Sequence, residues 1–346
     1  MPQAVVEAAV EGTESVARAA APRGRRRPMQ AAGASGGRAA DAGEVPATAD
    51  GSQNAPRGAA PSAHRNGARG DVYIEQPKDA EPRPPGQRLR AYATREIDQA
   101  LDALGWSGNR VHAGVHLGRK CLRRARATLA LGGAGLGPGT ELIDRALRDL
   151  NRDLSQLRDA HALVETLDRL LRGAALAPEA RTLLARARRA AAAARAQAAH
   201  AARADDPGLG RRRALLRVLR AGLRALPWAE LQAREWRDGV AASLERVARA
   251  GERARASGDD EDWHEWRRRA RRLSQQQRAL KSAGLGADAP KFDKHQIERL
   301  GEAQDLTLLL AHCGKGSPFA KAERGAVKAF ARGELERARE RIEAPE

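Results

Sequence analysis

The chain is 346 residues long with a formal net charge of +18 and a sequence pI near 11.1, a balance that points to polyanionic partners. Aromatic residues make up only 3% of it, too few to stack successive bases along a groove. Its two cysteines, Cys121 and Cys313, form no C-x-x-C, and no apolar run approaches the roughly 20 residues of a membrane span, which argues against a disulfide framework, a cysteine zinc site and a transmembrane protein.

Residues 1–85 hold ten of the 17 prolines, with much Gly, Ala and Ser and almost no bulky apolar neighbours, and read as a disordered leader. Its acids and bases nearly cancel, so the excess positive charge belongs to the helical remainder of the chain. The cluster Arg23, Arg25, Arg26 and Arg27 reads as a solvated charge run. The N-terminus lacks the basic-then-apolar pattern of a secretory signal, and a reducing, cytoplasmic location is expected.

From residue 86 onward the pattern is helical throughout, with Gly and Pro as punctuation. Helices are predicted over 87–104, 112–131, 140–171, 178–204, 211–226, 228–257, 261–281, 291–313 and 318–342. No segment alternates with period two, so the fold class is all-α. The helix over 181–203 is mostly Ala and Arg, strong helix formers with little to bury, and could be a long exposed arm or a loosely packed bundle edge. Arg213, Arg217, Arg220 and Arg224 recur along another face and could equally be a cationic surface or solvated charges.

One stretch recurs. His116, Arg119, Lys120, Arg123 and Arg124 fit H-x-x-R-[KR]-x-x-R-R, and His264, Arg267, Arg268, Arg271 and Arg272 repeat it. On a helix of about 100° per residue these positions fall within one sector of roughly 140°. Val115, Leu122 and Leu129 in the first copy, and Trp263, Trp266, Ala270 and Leu273 in the second, give each helix an apolar side to bury. A second echo, Leu154 to Asp159 and Leu300 to Asp305, follows each copy, with histidine-to-aspartate separations of 43 and 41 residues. Together they indicate duplication of one helical unit, with halves over about 86–204 and 211–346, which predicts basic stripes related by a pseudo-twofold axis.

At these residues the chain resembles the CHAD family, the conserved histidine α-helical domain, over about residues 87–342. The resemblance implies two four-helix-bundle halves whose basic residues meet on a central surface and bind inorganic polyphosphate, with association to polyphosphate granules. The family often sits beside a triphosphate-tunnel domain; no E-x-E-x-K signature of one occurs here. Two positions depart from the family pattern: Gly118 stands where a bulkier residue is expected, and Ala160-His161 follows the first Leu-to-Asp segment in place of an apolar pair.

The residue types suit that ligand. Polyphosphate is a flexible chain of phosphoryl charges with no base or sugar to read, so a binder needs a dense array of donors. Arginine supplies a planar fork for two phosphate oxygens, Lys120 a point charge, and histidine a donor when protonated. Binding is therefore expected to weaken with salt and to strengthen as pH falls towards the histidine range. Nonspecific nucleic-acid binding is the secondary reading. A phosphohydrolase is less favoured, because no G-x-x-x-x-G-K-[ST], H-E-x-x-H or G-x-S-x-G motif occurs in the helical part of the chain, and the chain is expected to be no enzyme and to use no cofactor. Asp159 and Asp305 read as structural partners of arginines rather than magnesium ligands. His112 and His116, at i and i+4, could clamp zinc, but no third ligand is evident and no metal site is expected. His161, His200, His295 and His312 have no repeated context and read as ordinary histidines.

Overall fold

The computed structural model describes residues 83–173, 176–286 and 293–343; the leader read over 1–85 lies almost wholly outside them. The described residues form no strand, and ten α-helices follow in order: α1 (Pro85–Ala103), α2 (Val111–Gly132), α3 (Gly139–Asp153), α4 (Ser155–Arg172), α5 (Pro178–Asp205), α6 (Gly210–Ala225), α7 (Ala233–Ser257), α8 (Asp260–Ser282), α9 (Lys294–Ala311) and α10 (Arg324–Glu343). The all-α expectation holds. No described helix is long and apolar enough to cross a membrane.

Local chemistry sets most of the ends. Proline opens α1 and α5, where a missing N–H costs nothing. Gln232 and Glu235 close a capping box on α7, and Asp293 accepts from the backbone N–H of His295 and Gln296, both at 2.8 Å, at the start of α9. The acids Asp260, Glu261 and Asp262 occupy the first turn of α8, the favourable end of its dipole. After α2 the chain needs the left-handed region twice, at Gly133 and Gly137.

The predicted helix over 140–171 is two helices. Leu154 interrupts it with φ −85° and ψ 2°, without a Gly or Pro to announce the break. Leu147 and Leu150 of α3 belong to one core, whereas Leu163 and Leu167 of α4 belong to another, so the chain turns between them. Two other predicted starts come later than expected. Trp228 and Leu231 are buried in the turn before α7, and Phe319 in the turn before α10, where Arg324 Nε donates to its carbonyl at 3.0 Å.

The helices pack in four close pairs, α1 with α2, α4 with α5, α7 with α8 and α9 with α10; α2 then lies against α8, and α4 against α9. The larger core joins α1, α2, α3 and α6 to α7 and α8 through residues such as Ile97, Leu122, Leu216, Trp236 and Trp266. The smaller joins α4 and α5 to α9 and α10 through Leu167, Leu184, Leu309 and Val327. Both cores therefore draw helices from each copy of the repeat. The Ala/Arg-rich α5 is no free arm, since Leu184, Ala187 and Ala191 are buried.

Gly118, which departs from the family pattern, has a packing role. A Cβ there would stand 3.0 Å from the Leu104 side chain, and one on Gly114 would stand 2.2 Å from the Ala103 carbonyl oxygen. The two glycines let α1 approach α2 closely.

Candidate anion-binding site

The two basic helices meet where α2 crosses α8, and α4 and α9 close the same junction. The repeated motif splits in both copies along the helix geometry. Positions 0, +3 and +7 span an arc of about 60°, and positions +4 and +8 turn some 40–80° away from the histidine on the other side. The +3 and +7 arginines, Arg119 and Arg123 of α2 and Arg267 and Arg271 of α8, converge at the crossing. Arg123 lies in the field of Arg271, Arg119, Arg158 and Arg267 together.

The +4 and +8 residues go elsewhere. Arg124 is buried at 8% exposure and donates to Glu96 of α1 at 3.2 Å, an internal ion pair. Arg268 is exposed and paired with Glu261 at 3.4 Å and with Glu265. Arg272 lies beside Asp144, Arg126, Arg246 and Arg269, next to the Arg126–Asp144 pair at 2.9 Å. Lys120 is exposed at the edge of the crossing, close to Arg124, Arg278 and Arg271. Arg220, from the arginine row on α6, is held by Asp98 of α1 at 2.5 Å.

At the crossing, charge is poorly compensated. Arg119 donates to the Asn151 carbonyl, but its Nε and that of Arg123 are buried without a partner. Among the described residues, the guanidiniums of Arg123, Arg267 and Arg271 make no hydrogen bond or ion pair. Burial, then repulsion from Arg271, Arg119, Arg158 and Arg267, holds the Arg123 pKa well below the arginine range. Burial and Arg271 push Arg267 down to about 9, and burial with Arg158 lowers Arg271. Arg119 falls to about 10, mainly through burial, with Asp159 opposing. Arginine keeps its charge in proteins, and burial makes that charge costly to keep here.

The segments ending at Asp159 and Asp305 bring in residues that the motif alone left out. Arg158 of α4 faces Asp159 at 3.3 Å and Asp305 of α9 at 3.9 Å, and Arg169 reaches Asp305 at 3.0 Å. Arg158 thus joins the arginine cluster as its fifth member. A signal was available: Arg158, His161, Glu165 and Arg169 recur at spacings of 3, 4 and 4 and form one polar row on α4. At the position of Arg158 the second copy has Gln304, whose amide is hydrogen-bonded to His264 Nδ1.

His161, read from the sequence as ordinary, joins the other two histidines of this side. Its ring stacks on His112 with centroids 5.7 Å apart and meets His116 edge-on at 6.4 Å. Arg195 approaches its Nδ1 at 3.5 Å and Glu165 its Nε2 at 3.4 Å. Burial, followed by Arg195 and His161, lowers the pKa of His112. Burial also lowers that of His116, with Glu165 opposing and Arg158 and Arg123 adding to the fall. The departure at Ala160-His161 therefore builds a histidine cluster at the rim of the arginines. Among the described residues no group of three or more His, Cys, Asp or Glu side chains is arranged to hold a metal ion.

The sequence profile of the CHAD domain matches residues 91–314. No curated protein matches the chain. Among solved structures, PptA from Streptomyces chartreusis is similar at 22% identity and a TM-score of 0.53, covering 74% of this chain and 96% of its own. The CHAD domain from the plant Ricinus communis is similar at 18% identity and a TM-score of 0.48, covering 76% of this chain and 93% of its own. The duplicated motif, the helical fold and the profile over most of the helical region agree, and the chain belongs to the CHAD family.

Proposed function

We propose that this protein binds inorganic polyphosphate at the crossing of α2 and α8 and does so without turning it over. The observation that carries the reading is the group of half-buried guanidiniums of Arg123, Arg267 and Arg271, which make no hydrogen bond or ion pair among the described residues and whose charge Asp305 offsets only in part. Clustered cations that repel one another and lack partners are retained against a cost in stability, and an anion supplied from outside removes that cost. Arg119 and Arg158 extend the cluster, and Lys120 and the histidines His112, His116 and His161 surround it. The ligand chemistry follows from access: partly buried forks at a helix junction admit a bare chain of phosphates, whereas duplex DNA presents its phosphates on a broad convex surface. The arginines form a donor array, which supports binding rather than turnover. Recruitment to polyphosphate granules is the role such binding would serve.

The test is a titration of the full chain with long-chain polyphosphate and with duplex DNA at the same ionic strength. Wild type is expected to retain polyphosphate at salt that releases DNA. The variant with Arg119, Arg123, Arg267 and Arg271 changed to Ala should lose binding, and Arg268→Ala should keep it nearly intact. Equal affinity for both polymers would instead favour a general polyanion surface.

A further inference from the structure

Two carboxylates stand inside the arginine cluster at equivalent places in the repeat. Asp159 of α4 is 3.3 Å from Arg158 and within the field of Arg119. Asp305 of α9 is 3.9 Å from Arg158 and 3.0 Å from Arg169, and within the field of Arg267 and Arg271. Five guanidiniums thus share two internal anions, and those anions occupy the ground a phosphate would take.

We infer that Asp305, and with it Asp159, is an intramolecular competitor for the bound anion, which polyphosphate must displace from Arg158. The inference rests on the polyphosphate reading of the same cluster and adds what sets its affinity. The geometry favours displacement over positioning. At 3.9 Å the contact between Arg158 and Asp305 is an ion pair without a hydrogen bond, so it gives Arg158 little directional hold. Asp305 is anchored on its other side by Arg169, and yielding Arg158 to a phosphate leaves that second pair intact. A phosphate offers Arg158 a charge-assisted pair of hydrogen bonds that the carboxylate at this distance does not. Until then the carboxylates relieve part of the repulsion among Arg158, Arg267 and Arg271, so the empty site is less costly to fold than the arginines alone would make it. They also repel any incoming anion, and a ligand must present several phosphates at once to overcome them.

A structural role for these acids makes the opposite prediction. If Asp305 served only to orient Arg158, its loss would loosen the arginine and weaken binding. If it competes, its loss strengthens binding.

The measurement compares wild type, Asp305→Asn and Asp159→Asn, with Asp168→Asn as a control on the helix of Asp159, since Asp168 pairs with Arg188 at 2.9 Å outside the cluster. Titration with long-chain polyphosphate should show Asp305→Asn binding about three- to tenfold tighter, because one opposing charge has gone from the cluster. Asp159→Asn should shift the same way and Asp168→Asn not at all. In parallel, the melting temperature is followed against sulfate, which needs only a cluster of guanidiniums. The free Asp305→Asn protein should melt lower than wild type and gain more from sulfate. Equal or weaker polyphosphate binding by both cluster variants, with no greater gain from sulfate, would overturn the inference. Wild type that fails to bind polyphosphate, while Asp305→Asn still gains more from sulfate, would overturn the polyphosphate reading and leave the competitor standing. Should Asp305→Asn not fold, Asp159→Asn decides the same question at the equivalent position.

Discussion

Arg123 shows what burying an unpaired charge costs at a single residue. Its guanidinium is half-buried among four other arginines and its Nε has no partner. Replacing a charge in such surroundings with an apolar side chain of similar length often stabilises a protein. Arg123→Met should therefore raise the free protein's stability by about 1 kcal/mol, a gain of a few degrees in melting temperature, while weakening polyphosphate binding. A variant that melts lower and binds normally would show that Arg123 is a packing residue. The histidines give a second test. A histidine whose folded pKa is depressed binds fewer protons folded than unfolded, so its contribution is fully present above the unfolded value of roughly 6.5 and is lost as pH falls below it. His112 and His116 are both depressed, and the free protein should lose stability between about pH 7 and 5.5. A bound phosphate favours the protonated form, so affinity should rise across the same interval. His116→Gln should flatten both profiles, and unchanged profiles would remove the histidine from the site.

At the scale of elements, each basic helix is fixed by what its remaining sides bury. The Arg124–Glu96 pair ties α2 to α1 inside the core, with both side chains at 10% exposure or less. Breaking such a pair by removing one partner leaves an uncompensated charge, so Glu96→Ala should cost about 3–5 kcal/mol in a denaturant titration. A cost near zero would mean that Arg124 swings out to water. The close approach of the same two helices depends on Gly114, where a Cβ would strike the Ala103 carbonyl. Gly114→Ala should destabilise by about 1–3 kcal/mol through overpacking and should lower affinity by tilting the arginines of α2. The motif's ten side chains were legible in the sequence, but their division was not. Helical periodicity places +3 and +7 beside +4 and +8 within one broad sector; which half of the sector meets α8, and which meets α1 or solvent, depends on the crossing of the helices. The break at Leu154 is of the same kind. Apolar spacing runs through it unchanged, and only the separation of Leu150 and Leu163 into different cores requires the turn.

At the scale of the whole molecule, the packing places the two basic helices in contact instead of leaving each on its own bundle. Each core takes helices from both copies, so α2 and α8 cannot separate without opening the larger core. A polyanion that spans them should therefore raise the melting temperature of the full chain by mass action, and the gain should fall steeply with salt. The absence of a shift at low salt would count against a site built from both helices.

The helical class, the duplicated motif and the family to which the chain belongs are all legible in the order of its residues, because helix periodicity, Gly and Pro punctuation and a repeat at matched spacing are local or one-dimensional signals. The same signals place His116, Arg119, Arg123, His264, Arg267 and Arg271 in one pattern. It took the packing of the helices to assign Arg124 to the core and Arg268 to the surface, and to bring Arg158, Arg169 and His161 from α4 to the junction with Asp159 and Asp305. Those assignments depend on which helices cross and at what side. That is fixed by the sum of many buried contacts between residues far apart in the chain, and no single stretch of sequence carries it.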